Sequence, residues 1–264
     1  MVVARTVEGN TDLWLLDGSR TSRFTFDAAR DASPVWSPDG GRIVFHSIRS
    51  GRYDLYSKLS SGGEAEELLV SSDQPKAPTG WSADGRFVFY LSSGSQTGAD
   101  IWVAPLVGKR SPYVFLQTPF REAYAVSSPN DQWVAYQSNE SGRMEIYVRP
   151  FAAPDASTDR RPAGKWQMST DGGVFPVWRS DGRELYYLNP AGAIMAVPVT
   201  IKPTLEPGAP RVLFSSAIVG GGVDAQQGRQ YDVAPDGRFL INISVDNAIG
   251  PITLLMNWRP DTQR

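Results

Sequence analysis

Five short segments of this chain each end in a tight Asp-Gly-type turn, and a run with β-strand character follows every one. They are PVWSPDG (34–40), TGWSADG (79–85), AVSSPND (125–131), PVWRSDG (176–182) and YDVAPDG (231–237). Asp39, Asp84, Asn130, Asp181 and Asp236 are therefore spaced by 45, 46, 51 and 55 residues. A period of about 40–50 residues, with several short strands in each unit, is the signature of a β-propeller built from radial blades. An ordinary β-sandwich would not place the same turn in register with the same following strands five times.

Each unit reads as four strands, a to d. Strand a leads into the turn, where Pro fixes φ and Asp-Gly tolerates the positive φ that a tight turn demands. Strand b follows directly as GRIVFHS (41–47), RFVFYLS (86–92), QWVAYQS (132–138), RELYYLN (183–189) and RFLINIS (238–244). These runs are rich in β-branched and aromatic residues, as a half-buried pleated surface prefers. Strand c is DLYSKL (54–59), DIWVAP (100–105), EIYVRP (145–150), AIMAVP (193–198) and ITLLMN (252–257). Strand d is more variable: AEELLV (65–70), SPYVFL (111–116), KWQMST (165–170) and PRVLFS (210–215). The chain opens in mid-unit, with VVARTVE (2–8) as b, DLWLLD (12–17) as c and TSRFTF (21–26) as d.

The expected fold is all-β: a six-bladed propeller of four-stranded antiparallel blades, with residues 1–264 forming one domain. The first and last blades are incomplete or are closed by joining of the termini. An open seam would expose strand edges, which invite pairing with another chain, so a homodimer through those edges is one expected consequence.

The Trp-Ser-Pro-Asp-Gly turn, the aromatic strand after it and the step SIRSGRYDLY (47–56) resemble the repeats of TolB-type, WD40-like propellers. The order of the segments at 115–151, 165–188, 231–242 and 252–258 is similar to the C-terminal propeller region of acidobacterial-type transmembrane serine/threonine kinases. That resemblance implies an extracytoplasmic sensor or interaction module within a signalling protein. The kinase signatures themselves are absent: no Gly-rich loop with its Lys, no His-Arg-Asp, no Asp-Phe-Gly. The third repeat departs from the pattern, with Ser127 in place of Trp and Asn130-Asp131 in place of Asp-Gly.

Composition narrows the function. A net charge of −2 provides no field that would attract nucleic acid. No apolar run approaches the roughly 20 residues that span a bilayer, so no membrane insertion is expected. The first ten residues lack the apolar core of a signal peptide, and by themselves predict a soluble, unexported chain. The absence of cysteine leaves no disulfide, thiol nucleophile or thiolate metal site.

His46 is the sole histidine and lies within a strand b, not on a nucleophile elbow, so it reads as a packed blade residue. One histidine and no cysteine do not make a zinc site of the common kinds. The turn aspartates are better explained as satisfying their own backbone than as calcium ligands. Trp14, Tyr56, Trp102 and Tyr147 recur at one position of strand c, and Trp36, Trp81 and Trp178 at the end of strand a; both series read as inter-blade packing. No catalytic residue, metal or other cofactor is therefore expected.

Specificity should lie where the repeats disagree. The d–a connections differ widely, at 27–33, 71–79, 118–124, 171–175 and 216–230, and in a propeller they emerge around one mouth of the central channel. The last is the longest and contains Gly220, Gly221 and Gly222, which read as flexibility and not as a phosphate loop. Asp31, Lys76, Arg121, Glu122, Phe175, Arg229 and Tyr231 are the expected ligand-binding residues at that mouth, suited to a peptide or a small polar ligand. A second Asp/Arg/Pro-rich stretch, 152–164, reads as a mobile c–d loop on the opposite face. The expected function is a non-catalytic binding or sensor module. A propeller lyase or hydrolase using channel carboxylates and a divalent cation is the alternative.

Overall fold

The computed structural model describes residues 1–95, 98–108, 111–152, 164–202, 204–224 and 228–243. Strand c at 252–257 and most of the 152–164 stretch lie outside the described residues. Those residues hold 22 strands and no helix, and so no helix long and apolar enough to cross a membrane.

The first sheet contains β1 (Val2–Val7), β2 (Asn10–Asp17) and β3 (Arg20–Arg23). The second holds β4 (Asp31–Trp36), β5 (Arg42–Ser47), β6 (Asp54–Leu59) and β7 (Glu67–Val70). The third holds β8 (Lys76–Trp81), β9 (Phe87–Ser95), β10 (Gly98–Pro105) and β11 (Tyr113–Leu116). The fourth holds β12 (Glu122–Ser127), β13 (Trp133–Ser138), β14 (Glu145–Pro150) and β15 (Trp166–Gln167). The fifth holds β16 (Val174–Trp178), β17 (Glu184–Leu188), β18 (Ala193–Ile201), β19 (Leu205–Pro207) and β20 (Arg211–Ser215). The last described pair is β21 (Tyr231–Val233) and β22 (Phe239–Ile241).

Within sheets two to four each strand pairs with its neighbours in sequence, as in a blade. The first sheet comprises the b, c and d strands expected of a chain starting in mid-unit. One element was not anticipated: β19 pairs with the far end of the long β18, while β20 occupies the expected place of strand d beside the same strand.

The turns form because their first polar side chain closes them. Asp39 Oδ1 accepts hydrogen bonds from Ser37 Oγ at 2.6 Å and Gly41 N at 2.9 Å. Asp84, Asn130, Asp181 and Asp236 likewise accept from the backbone two residues on, at 3.0–3.2 Å. In the third repeat Asp131 adopts φ 55°, where the other four turns have glycine.

The chain divides into two compact units, Met1–Ala125 and Val126–Arg264, the division falling inside β12. In the first unit, alternate residues of β5 face opposite ways. Ile43 and Phe45 pack with Leu13, Phe24 and Tyr56, whereas Val44 packs with Leu55, Val70, Val88 and Tyr90. In the second, Trp133, Ile146, Val148 and Met168 meet Trp178, Leu185, Tyr187 and Val197. Both faces of a sheet are thus buried against neighbouring sheets, the packing that the aromatic and β-branched b strands prefigure. The strand-c aromatics pair with strand b of their own sheet: Tyr56 with Phe45, Trp102 with Tyr90 and Tyr147 with Tyr136, at centroid separations of 6.2, 6.3 and 5.9 Å.

Candidate functional site

The residues expected at the mouth lie at the beginnings of the a strands, and most are buried. Asp31 opens β4, Lys76 opens β8 and Glu122 opens β12, all within the first unit. Asp31 has no exposed surface. Arg49 Nη2 donates to both of its carboxylate oxygens, at 3.1 and 3.2 Å. Burial pushes the Asp31 carboxyl above its usual range, although hydrogen bonds from Ser47, Arg49 and Thr25 and the Arg49 charge oppose the rise. Arg49 also donates to Glu66 at 3.1 Å and stands 4.5 Å above the Tyr56 ring. Lys58 completes this group, bonding Glu66 Oε1 and the Phe24 carbonyl at 2.9 Å each.

Lys76 is also buried, and its Nζ donates to Asp54 Oδ1 at 3.1 Å, Ser72 O at 3.0 Å and Gln74 O at 2.7 Å. Glu122 is buried and accepts from Thr118 Oγ1. Arg121, just ahead of β12, is half-buried.

In the second unit the structure brings Phe175 and Tyr231 together through the backbone. Phe175 has φ 59°, a left-handed conformation that costs about 1 kcal/mol or more for a residue with a side chain. Both its peptide groups are fixed. Its N–H donates to Gln137 Oε1 at 3.0 Å, and its carbonyl accepts from the Tyr231 hydroxyl at 2.7 Å. Burial pushes the Tyr231 phenol far above its usual range. Gln137 Nε2 in turn donates to Asp224 Oδ2 at 2.9 Å, so the longest d–a connection is anchored 87 residues away in sequence. Arg229 is half-buried and pairs with Asp232 at 3.5 Å.

The triple glycine is a packed turn, contrary to the flexibility its composition suggests. Gly220 and Gly221 have φ 78° and 59°, Gly221 N donates to Ile218 O at 3.0 Å, and a Cβ on Gly222 would overlap the Asn189 carbonyl.

Positive φ recurs near the start of strand a: Ser33 at 53° in β4 and Tyr124 at 53° in β12 accompany Phe175. The ladder slips between Ala32 and Val35, between Pro78 and Gly80, and between Val174 and Val177. A β-bulge at this place bends the strand and re-aims its first residues. In β4, β8 and β16 the slip accompanies a buried first or second residue: Asp31, Lys76 and Phe175.

Sequence reasoning missed a second series, the acid that opens strand c. Asp12, Asp54, Asp100 and Glu145 are all buried. Each accepts from a residue just past strand d: Thr25 Oγ1 at 3.4 Å, Ser71 Oγ at 3.0 Å, Gln117 Nε2 at 2.8 Å, and Ser169 Oγ. The signal was present as an acid directly before Leu or Ile in four c strands. Gln137 carried no such signal, because its partners are distant in sequence. Among the described residues no three His, Asp or Glu side chains converge as metal ligands do. His46 is buried with neither ring nitrogen bonded, edge-on to Tyr53 at 5.2 Å. An open polar hollow of about 320 Å³ in the fourth sheet is lined by Ser141, Gly142, Arg143, Glu145, Gln167 and Thr170.

Residues 1–150 match the PD40 model, the TolB β-propeller domain, and the chain belongs to that family. The Tricorn protease homolog 1 of Streptomyces coelicolor is 32% identical over 107 residues, which is 40% of this chain and 10% of that protein. The chain thus spans a tenth of the length of this curated relative. A TolB-type protein from Agrobacterium tumefaciens superposes with a TM-score of 0.60 at 18% identity, covering 77% of this chain and 73% of its own. TolB from Acinetobacter baumannii also gives 0.60, at 17% identity, covering 87% and 58%. The nidogen/laminin complex and a manganese-bound oligogalacturonate lyase both give 0.58 at 14% identity; coverage is 81% and 77% for the first, 96% and 76% for the second. Identities this low establish the fold alone: an all-β, TolB-like propeller.

Proposed function

We propose that the protein is a non-catalytic interaction module that engages a protein segment or a small polar ligand through the d–a connections. The observation that carries this reading is the engagement of six buried charges in bonds within the fold. Asp31, Lys76 and the four strand-c acids are all engaged in bonds within their own or the adjoining sheet, so they are structural and not poised as acids, bases or ligands. Of the seven residues expected at the mouth, Arg121 in the first unit and Arg229 in the second keep solvent contact. They are the members that meet a ligand, while the other five shape the loops that present them.

The kinase-borne propellers that the segment order resembles supply the setting, a sensor part of a larger signalling protein. A nidogen/laminin complex among the similar folds is compatible with protein recognition. The lyase or hydrolase alternative draws on fold likeness alone.

Isothermal titration with a panel of peptides and cell-wall fragments tests the reading. The expected result is saturable binding that weakens in Arg121→Ala or Arg229→Ala. Turnover of any ligand in the panel, or affinities indifferent to both substitutions, refutes it.

A further inference from the structure

The b–c turn of the fourth sheet borders the open polar hollow, and it is built differently from the same turn of the second sheet. Residues 138–145 correspond to 47–54, with Ser141 in the place of Ser50, Arg143 of Arg52 and Glu145 of Asp54. In the second sheet Ser50 Oγ closes on Asp54 at 2.7 Å, while Arg52 turns outward to the exposed Asp73 at 2.5 Å. The cation beside Asp54 is Lys76, at 3.1 Å. Lys76 N also donates to the carbonyl of Tyr53, the residue before the acid, and Gly173 N makes the same bond to Met144 at 2.8 Å. Gly173 is thus the counterpart of Lys76, and it brings no side chain to Glu145.

Glu145, longer than aspartate by a methylene, takes other partners. Its Oε1 accepts from Gly172 N at 3.0 Å and Arg143 Nε at 2.7 Å, and its Oε2 accepts from Ser169 Oγ. Arg143 is thereby turned inward, and its Nη2 donates to the Thr170 carbonyl. Ser141 Oγ donates to the Arg143 carbonyl at 3.2 Å, where its counterpart Ser50 binds the acid. The hollow of about 320 Å³ lies between this turn and the end of strand d, lined in part by the buried Glu145.

The lining decides the class of ligand. None of its residues has an apolar side chain. Its two charged members, Arg143 and Glu145, are bonded to each other, so an ion gains little there. An anion would meet Glu145 and the exposed Asp171, which stands 3.7 Å from Arg143 Nη2, and a cation would meet Arg143. Hydrogen-bonding capacity remains. Among the described residues Arg143 Nη1, Gln167 Oε1 and the Thr170 hydroxyl have no protein partner. The first donates, the second accepts and the third does both. A ligand hydroxyl, which also donates and accepts, satisfies all three. The volume is at the lower end of small-ligand clefts, a fit for a single sugar ring.

We propose that this hollow binds a neutral sugar ring, whose hydroxyl groups bond to Arg143, Gln167 and Thr170. The site is independent of Arg121 and Arg229, neither of which lines it. With no apolar or aromatic side chain in the lining, affinity rests on hydrogen bonds alone and falls in the millimolar range.

The test is a titration of the full nitrogen-15-labelled chain with the methyl glycosides of glucose, galactose, mannose and N-acetylglucosamine, followed through backbone amide shifts. At least one should give saturable shifts at the amides of Gly142, Thr170 and Gly172. Gln167→Met and Thr170→Val change exposed side chains to apolar ones of similar size. Each should weaken binding about two- to ten-fold, one hydrogen bond, with the rest of the spectrum unchanged. Arg121→Ala and Arg229→Ala should bind as the parent does; a loss in either would place the sugar at the d–a loops and overturn the proposal. No saturable shift with any of the glycosides, shifts centred elsewhere, or affinities indifferent to both Gln167→Met and Thr170→Val equally overturn it. So does tighter binding of glucuronate, glucosamine or N-acetylalanylalanine amide, which would make the hollow an anion, cation or peptide site.

Discussion

Replacing Lys76 by Met tests whether a residue that looked like a ligand contact is a structural ion pair. The side chains of Lys76 and Asp54 are each 1% exposed, with Nζ 3.1 Å from Oδ1. Methionine roughly preserves the apolar stem, so the substitution isolates the ammonium. Asp54 Oδ2 keeps its bonds from Ser50 at 2.7 Å and Ser71 at 3.0 Å, but Oδ1 loses the Lys76 ammonium. The Ser72 and Gln74 carbonyls lose a donor too, yet both residues are exposed and water replaces it. Breaking a buried pair from one side costs about 3–5 kcal/mol, because a desolvated charge is left behind. Urea denaturation at pH 7 should register that loss, and adding Asp54→Asn should recover a large part of it. The pH dependence has a definite sign. Burial pushes the Asp54 carboxyl up, but Ser50, Lys76 and Ser71 more than offset it and hold it below its usual range. The pair's stabilisation is therefore present above the unfolded carboxylate range and is lost as pH falls through the lower folded value. The gap between parent and variant should accordingly narrow on acidification. A loss under 1 kcal/mol at pH 7 would show that the pair is hydrated, and would return Lys76 to the candidate ligand contacts.

Two further substitutions probe the interior. Burial, with help from the Arg30 charge, lowers the His46 imidazole to about 4. Between that value and about 6.5 the unfolded chain therefore holds a proton that the native one does not, and acidification costs about 3 kcal/mol of stability through this ring. His46→Leu should abolish that contribution, so its stability relative to the parent should rise by about this amount from pH 7 to pH 4; a pH-independent difference refutes the assignment. Gln137→Leu should cost about 1–3 kcal/mol by removing its bonds to the buried Phe175 N–H and to Asp224 Oδ2. It should also hasten hydrogen exchange at Phe175 while leaving amides of the first unit unchanged.

The strands were legible in the sequence because turn chemistry and side-chain alternation are local. Asp39 and its counterparts close their own backbone, and Ile43, Val44 and Phe45 announce a strand buried on both faces. The site was less legible because burial at the start of strand a depends on partners that local pattern does not show. Asp31 reads as a charged loop residue until Arg49, 18 positions later, folds back over it. Lys76 reads as solvent-facing until Asp54 of the preceding sheet is placed against it. Phe175 gives no sign of its left-handed backbone, which is imposed by Gln137 and Tyr231 from either side. The β19 pairing escaped notice for a related reason: Leu205–Pro207 is too short to show a period, and only the length of β18 provides an edge for it.

The strand-c acid offers a physical account of why one connection differs from the others. In the first four sheets the carboxylate at the head of strand c binds the residue leaving strand d, which fixes the point where the d–a connection begins. In the fifth sheet Ala193 occupies that position, with Ser215 opposite it across the ladder. No carboxylate is available there, and the connection that follows is the longest. It is held instead by the Ile218–Ile243 bridge, the close approach of Gly222 to Asn189, and the Asp224–Gln137 hydrogen bond. Losing one buried charge removes both its desolvation cost and its fixed exit point. The chain after strand d is then free to cross its own sheet and bond to the fourth. Among the described residues one lock is repeated in four sheets and omitted in the fifth, which gives a loop of distinct shape on a common frame, and the Arg229 proposed to meet a ligand lies on it.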